Sequence, residues 1–214
     1  MAIEVDGSTK ERMDQLVWDE EVGKGFLQVI PRERRVCYWK TYEKYEDSPV
    51  GPQLKKIRRA WVNKYVPLPM PVLDIGIGNG AFIRTRGLCF GYDTDPTAIR
   101  WLREKDLFMN PYGRIPPDVK GITFFDSLEH IEKPEEILRN VDDGVFVFVA
   151  IPIFAGLKEV LESKHFKPRE HYHYFTSWGL LRFFSGLGFE LTEANREEQN
   201  VGRESIGSFV FQRK

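Results

Sequence analysis

The sequence contains few cysteines and no long apolar run. Two cysteines occur among 214 residues, and the separation of Cys37 from Cys89 fits neither a disulfide framework nor a metal-binding pair. The longest apolar stretch, Val145 to Leu157, is interrupted by Pro152 and is shorter than the roughly 18 residues expected of a membrane span. The N-terminus is acidic where a secretory signal would be basic. We therefore expect a soluble, cytoplasmic protein.

The sequence also lacks a net charge of either sign that would select a partner. It has 31 basic and 32 acidic residues and a net charge of -1. The charges are unevenly placed, because residues 1–23 carry two basic and seven acidic side chains whereas residues 24–64 carry eleven basic and four acidic ones. Such a basic segment can bind a phosphate-bearing substrate or nucleic acid, but it is more often the solvated face of helices.

A proline-rich segment, residues 66–71, separates two parts of the chain. We interpret residues 1–66 as an acidic tail and a helical lid, with a helix at 53–65, and residues 67–214 as the core domain. In the core, short apolar runs alternate with helical segments, which predicts a mostly parallel sheet covered on both faces. The predicted strands are 72–75, 88–92, 119–125, 145–151, 189–193 and 206–212; the predicted helices begin near 81, 96, 134, 156 and 177, the last capped by Thr176 or Ser177.

The first core strand runs into a glycine-rich turn, Gly76-Ile77-Gly78-Asn79-Gly80. Glycines permit positive φ and close approach of a ligand, and the helix that follows offers unpaired N–H groups. The glycines alone also fit the loose dinucleotide fingerprint, so a nicotinamide cofactor stays open at this point. Asp74, two residues before the first glycine, would crowd a pyrophosphate but suits a cofactor that carries an ammonium group and a cationic sulfonium.

A second carboxylate follows the next strand. Asp93 is predicted at the carboxyl edge of that strand, beside the glycine turn, where open α/β sheets bind ligands and a carboxylate can accept both ribose hydroxyls. The alternative is that Asp93 or Asp95 caps the helix that begins at Pro96.

These segments resemble motifs I and II of class I S-adenosylmethionine (SAM)-dependent methyltransferases. Residues 122–131, which include Leu128-Glu129-His130, resemble the fourth-strand motif of the small-molecule branch that contains ubiquinone-biosynthesis-type enzymes. Residues 171–176 and 186–189 match that branch's approach to its last strands, so the likeness covers about residues 72–193. It implies a Rossmann-like fold with a seven-stranded, mostly parallel sheet, helices on both faces and a C-terminal antiparallel strand pair. It also implies SAM as cofactor and S-adenosylhomocysteine as product; we expect a monomer or a homodimer.

The resemblance also assigns site residues. Asp93 would hold the ribose, Thr94 would border the adenine, and Asp126 and Ser127 would lie beside the transferred methyl group. The segment 105–117 departs from the family pattern and offers only Asp106 or Asn110 for the adenine. The methionine end would be lined by Asp74, Ile75, Gly76, Gly78, Asn79 and Gly80, with Arg58 or, in our assignment, Arg59 at its carboxylate.

Methyl transfer is an in-line displacement, and a hydroxyl acceptor must also lose a proton. We predict His130 as the base, assisted by Asp126; the alternative is a histidine that merely bonds to backbone. The four histidines, with Glu129, Glu170 and Asp126, have no diagnostic metal-ligand spacing, so we expect no metal. Substrate contacts are predicted for Tyr42, Tyr45, His165, His171 and His173.

A small-molecule acceptor is the preferred interpretation. Enzymes that methylate an amino group of a nucleic-acid base need an Asp/Asn-Pro-Pro-aromatic turn after the fourth strand, where this chain has Asp126-Ser127-Leu128-Glu129. A cytosine-C5 enzyme needs a nucleophilic cysteine after proline, and neither cysteine follows one. Three alternatives stay open: a nucleic-acid methyltransferase that uses residues 24–64, a SAM-binding protein without transfer activity, and a NAD-dependent oxidoreductase.

Overall fold

A six-stranded sheet forms the centre of the molecule. The computed structural model describes residues 16–27, 38–168 and 170–214. In sheet order, the strands are β4 (Cys89–Tyr92), β3 (Val72–Ile75), β5 (Gly121–Phe125), β6 (Phe146–Pro152), β9 (Ile206–Arg213) and β8 (Phe189–Asn195). The strands β4, β3, β5 and β6 are parallel to one another, and β9 runs antiparallel to both β6 and β8. The Rossmann-like fold and the C-terminal antiparallel strand pair are therefore confirmed.

The prediction of seven strands in this sheet is wrong by one. The outer edge of β4 meets the 105–117 segment only at an isolated parallel bridge between Gly91 and Phe108. This segment contains Pro111, Pro116 and Pro117, and proline cannot donate a ladder hydrogen bond. The structure thus has one bridge, and no seventh strand, at the outer edge of β4 within the described residues.

Helices cover both faces of the sheet because the central strands carry apolar side chains on both faces. Leu73 and Ile75 point to one face, which packs against α5 (Pro134–Leu138) and α7 (Ser177–Ser185). Val72 points to the other face, since successive strand residues face opposite sides. That second face packs against α2 (Val50–Tyr65), α3 (Ala81–Arg86) and α4 (Pro96–Glu104). The other helices of the described residues are α1 (Tyr38–Glu46), α6 (Leu157–Glu162) and the 3₁₀ turns Leu128–His130 and Glu197–Val201.

A second, three-stranded sheet was not anticipated. The hairpin of β1 (Leu16–Asp19) and β2 (Lys24–Leu27) pairs with β7 (His173–Phe175), all antiparallel. The predicted cap of α7 is confirmed at Thr176, whose side chain accepts from Gly179 N and whose hydroxyl donates to Gly23 O. The N-terminal hairpin is therefore tied to the segment that precedes α7. The proposed division at residues 66 and 67 stays a prediction.

Among the residues described, no helix combines the length and apolar character that a membrane crossing requires.

Candidate functional site

The glycine turn follows β3 and brings the backbone close to the end of β5. Gly76 and Gly78 have φ values of 79° and 57°, a region that side-chain-bearing residues rarely adopt. A Cβ atom on Gly76 would lie 2.4 Å from Cβ of Ser127, so no larger residue fits there. Ser127 in turn donates a hydrogen bond to the Ile75 carbonyl, 2.5 Å away. These contacts with Ser127 thus fix the position of the turn at the carboxyl edge of the sheet.

Asp74 lies buried beneath this turn. Its side chain accepts a 2.6 Å hydrogen bond from the Thr123 hydroxyl of β5, and only 3% of the residue is exposed. Burial raises the pKa of Asp74 to about 7, although the Thr123 bond and the charge of Arg58 oppose that change. A carboxylate that is this poorly solvated is well suited to bind a cationic group.

Asp93, at the end of β4, reaches across to the same turn. One carboxylate oxygen accepts from Gly78 N at 3.1 Å, and the other accepts from Asp95 N at 2.8 Å. Burial raises the pKa of Asp93, while these backbone bonds lower it. Asp95 accepts from Thr97 N at 2.8 Å and caps α4. The two carboxylates therefore have different tasks: Asp95 caps the start of α4, and Asp93 faces the turn.

A buried network of four charged side chains closes the other side of the site. Arg203 makes a bidentate pair with Asp126, at 2.6 and 2.7 Å, and a 3.1 Å bond to Glu198. Arg58, from α2, donates to Asp126 at 2.8 Å and to Glu198 at 2.7 Å, and its guanidinium stacks 4.5 Å from the Phe125 ring centroid. Two arginines and two carboxylates thus join α2, the end of β5 and the segment before β9.

This network determines the state of Asp126. Burial alone would favour the neutral acid, but Arg203 and Arg58 outweigh it and hold the pKa of Asp126 well below its ordinary value. Asp126 adopts a φ of 57°, a region that aspartate tolerates better than most residues. Because its oxygens accept from two arginines, Asp126 is a weak base, and the geometry favours a positioning role over the predicted catalytic one.

We expect Arg203→Met to lower the free energy of unfolding by roughly 3 kcal/mol, because one arginine must then balance two buried carboxylates. Urea denaturation measures the change. Arg196→Met is the matched control, since Arg196 is exposed and lies at the other end of the 3₁₀ turn Glu197–Val201, which Arg203 follows. Equal losses in the two variants would show that the network contributes no stability.

His130 belongs to a second cluster, beyond Ser127. Its Nδ1 lies 3.0 Å from the Glu170 carbonyl; a carbonyl can only accept, so Nδ1 carries the proton and Nε2 holds the ring lone pair. The His171 ring lies edge-on to it, with centroids 4.5 Å apart. Burial lowers the pKa values of both histidines, so both are neutral at pH 7. The bond to backbone that the alternative interpretation expected is therefore present, and the role of His130 as the base stays a prediction.

Two cavities flank the glycine turn and meet at Gly76, Gly78 and Asp126. The first, called here the Arg58 cavity, has a volume of about 290 Å³. The second, the Asp93 cavity, has a volume of about 280 Å³. The Arg58 cavity is lined by residues that include Tyr45, Lys55, Arg58, Asp74, Asn79, Phe125, Lys164, His165 and Arg203. The Asp93 cavity is lined by Ile75, Tyr92, Asp93, Thr94, Tyr112, Ser127, His130, Ile131, Glu132 and Tyr172 in addition to the three shared residues.

Most of the predicted site residues line one of these cavities, but some do not. Arg58 rather than Arg59 reaches the site, since Arg59 is exposed on the other side of α2. Gly80 packs against Trp101. His173 is buried in β7, where its Nε2 lies 3.1 Å from the Glu132 carbonyl, and burial lowers its pKa to about 4. The side chain of Tyr42 lies outside the described residues.

Four residues that line or close the site were missed by the sequence analysis. Arg203 and Glu198 lie in the segment before β9, far along the chain from Asp126, and no local motif marks them. Tyr92 and Tyr112 meet with ring centroids 5.8 Å apart in the Asp93 cavity. Only the turn Asn110-Pro111-Tyr112-Gly113 could have drawn attention to Tyr112.

A parallel sheet with a glycine turn between two carboxylates at its carboxyl edge defines a nucleoside-binding α/β protein. The methyltransferase domain family matches residues 42–194. The chain belongs to this family, whose cofactor is SAM. No curated protein sequence matches the chain at a significant level.

Solved structures share the fold at low sequence identity. The CcbJ methyltransferase from Streptomyces caelestis is 14% identical, with a TM-score of 0.60 over 85% of this chain and 99% of that one. Magnesium protoporphyrin IX methyltransferase from Synechocystis, with bound S-adenosylhomocysteine, is 13% identical, with a TM-score of 0.55 over 82% and 94%. The [4+2]-cyclase SpnF is 14% identical, with a TM-score of 0.52 over 74% and 80%. The fold therefore does not by itself fix the reaction.

Proposed function

We propose that the protein transfers the methyl group of SAM to an oxygen or nitrogen nucleophile of a small-molecule acceptor. The observation that carries the proposal is the pair of carboxylates, Asp74 and Asp93, on either side of a turn that accepts only glycine at position 76. A dinucleotide pyrophosphate would face the buried Asp74 carboxylate, whereas a sulfonium with an ammonium group is attracted to it.

In this proposal the Asp93 cavity binds the nucleoside of the cofactor and the Arg58 cavity binds its methionine end. Asp93 accepts the ribose hydroxyls, and the faces of Tyr92 and Tyr112 border the adenine in the Asp93 cavity. Asp74 faces the ammonium end in the Arg58 cavity. Arg58 lines the same cavity and has Nη1 for the methionine carboxylate, while its Nε and Nη2 donate to Glu198 and Asp126. The methyl group then lies near Asp126 and Ser127, where the cavities meet.

The chemistry requires alignment of the acceptor and removal of its proton. An in-line displacement needs the nucleophile, the methyl carbon and the sulphur on one axis. His130 lines the Asp93 cavity beside Ser127, and its Nε2 lone pair is the proton acceptor in this proposal. Tyr45 and His165 line the Arg58 cavity and are the substrate contacts that we retain from the sequence.

A small acceptor agrees better with the charges than a nucleic acid does. In the described part of the basic segment 24–64, Lys55 pairs with Glu46 at 3.8 Å, Lys64 pairs with Glu193 at 2.6 Å, and Arg58 belongs to the buried network. Basic side chains that are already paired with carboxylates attract phosphates weakly. A nucleic-acid substrate is therefore the less favoured alternative.

Calorimetric titration tests the cofactor assignment. We expect SAM and S-adenosylhomocysteine to bind with one site per chain and NAD to give no heat above dilution, because Asp74 repels the pyrophosphate. NAD binding without SAM binding would sink the proposal in favour of an oxidoreductase.

A second measurement separates a transferase from a SAM-binding protein of another activity, an alternative that the cyclase neighbour keeps open. The protein, SAM and a small-molecule extract are incubated together and analysed by mass spectrometry. We expect a protein-dependent gain of one methyl group in an extract component, with stoichiometric S-adenosylhomocysteine. SAM binding with no such product in any extract would favour a protein without transfer activity.

A further inference from the structure

Three potential metal ligands converge beside the Asp93 cavity. Glu129, His130 and His171 each offer one ligand atom, and these atoms all lie within 4.8 Å of one another. Glu129 and His130 belong to the 3₁₀ turn after β5, and His171 lies just before β7. A 2.7 Å hydrogen bond from Tyr172 N to the Glu129 carbonyl holds the two segments together. The cluster thus forms only in the folded chain, from residues about 40 positions apart.

The Glu129 carboxylate is the least satisfied polar group of the cluster. Only 3% of the residue is exposed, and within the described residues Oε2 of Glu129 makes no hydrogen bond. Burying a carboxylate without a partner is unfavourable, so such groups are normally paired or bound to a cation.

The histidines are in a form that suits a metal ion. Metal-bound histidines usually donate their second ring N–H to a carbonyl or carboxylate, which fixes the tautomer. His130 does so toward the Glu170 carbonyl at 3.0 Å, which leaves the lone pair on Nε2. His171 is 3% exposed and neutral. A neutral imidazole is the form that binds metals.

We propose that Glu129, His130 and His171 bind a divalent first-row transition-metal ion, with Zn²⁺ as the reference case. Two imidazoles and one carboxylate are the ligand set of catalytic zinc sites, which keep a further position open. Hard ions such as Mg²⁺ prefer oxygen ligands. Atoms that share an ion at about 2.1 Å lie closer together than 4.8 Å, so binding draws the three side chains inward. This proposal differs from the sequence analysis, which expected no metal because the spacing of the residues is not diagnostic.

The ion would act on the acceptor, and only this role rests on the proposed function. His130 lines the Asp93 cavity, so an ion bound to it meets the reacting groups if its open position lies on the side of that cavity. An acceptor hydroxyl that binds there loses its proton to water, because a metal ion lowers the pKa of bound oxygen. The oxygen–carbon bond then forms as the sulphur–carbon bond breaks, and sulphur leaves as a neutral thioether. When the metal ion is bound, it lowers the pKa of the acceptor hydroxyl. His130 is then a metal ligand and not the base.

Metal binding is measured on the full chain after chelation and removal of the chelator. Co²⁺ serves as the spectroscopic probe, with Zn²⁺ competition and metal analysis for stoichiometry. We expect one ion per chain, the visible absorption of imidazole-bound Co²⁺, displacement by Zn²⁺ and no displacement by millimolar Mg²⁺. Glu129→Gln keeps the side-chain shape and removes a buried charge, so it should fold; we expect it and His171→Ala to weaken binding at least tenfold.

His165→Ala is the matched control, because His165 lines the Arg58 cavity outside the cluster; its metal affinity should equal that of the wild type. Absence of Co²⁺ binding by the wild type, or unchanged binding by Glu129→Gln, would overturn the inference. SAM titration on the same samples separates the two proposals: SAM binding without metal binding overturns only the metal site, and metal binding without SAM binding overturns only the proposed function.

Discussion

Replacement of Asp93 by alanine is expected to weaken SAM binding by at least a hundredfold. Hydrogen bonds to a charged group contribute about 1.5 to 3 kcal/mol each, and the Asp93 carboxylate would accept two from the ribose. The same carboxylate holds Gly78 N at 3.1 Å, so the glycine turn also loses one of its restraints. Calorimetry with SAM and with S-adenosylhomocysteine should show equal losses, because the two ligands share the nucleoside.

Asp95→Ala is the control for this result. Asp95 lies two residues further along and caps α4 through Thr97 N, so its loss should lower the free energy of unfolding by about 1 kcal/mol and change SAM affinity less than threefold. Asp93→Asn, which keeps one carbonyl oxygen for the turn, should still bind SAM at least tenfold more weakly than the wild type. Wild-type affinity in both Asp93 variants would remove Asp93 from the cofactor site.

The parts of the fold that sequence predicts well are those encoded by neighbouring residues. β6 contains Phe146, Val147, Phe148 and Val149, an apolar run that suits a strand covered on both faces, and it was predicted to within a residue. The glycine turn and the Thr176 cap are equally local. By contrast, β1 and β2 are short and lie in a stretch whose charges suggested a tail. The pairing of β2 with β7 depends on residues about 150 positions away, which local patterns do not encode.

The same distinction applies to the site. Asp74, Gly76 and Asp93 lie close together in the sequence, between positions 74 and 93, and form a recognisable motif. Asp126, however, is defined by Arg58 and Arg203, which lie 68 and 77 residues from it in the sequence. Sequence identified Asp126 as a carboxylate near the methyl group, but only the structure shows that two guanidinium groups keep it ionised. Likewise, the spacing of Glu129, His130 and His171 is not diagnostic of a metal site; their convergence comes from the packing of β7 against the 3₁₀ turn.

The second large effect is expected from Asp74→Asn. This substitution should weaken SAM binding and raise the stability of the apoprotein. The amide cannot neutralise the ammonium group, so SAM affinity at pH 8 should fall roughly a hundredfold, the scale of a lost charge-assisted hydrogen bond in a buried site. The wild type should also lose SAM affinity as the pH falls below about 7, because the Asp74 carboxyl then binds a proton. In Asp74→Asn this pH dependence should disappear.

The apoprotein of the same variant should be more stable than the wild type. The pKa of Asp74 is about 7 in the folded chain, against an ordinary value of 3.8; between these two values the unfolded chain is ionised and the folded one is not. Wild-type stability therefore falls as the pH rises from about 4 to about 7 and is constant above that. Since a tenfold change in acidity corresponds to about 1.4 kcal/mol, the asparagine variant should gain up to roughly 4 kcal/mol at pH 8 and little near pH 4.

Urea denaturation at pH 4.5 and pH 8, without ligand, measures this difference, and Asp142→Asn, at an exposed carboxyl, controls for the general loss of a negative charge. A gain confined to Asp74→Asn at the higher pH would mean that the fold maintains an unfavourable buried carboxylate whose compensation is the cofactor's cation. A variant that loses stability at both pH values would instead show that Asp74 is a structural partner of Thr123, and the electrostatic basis of SAM selection would then have to lie elsewhere in the site.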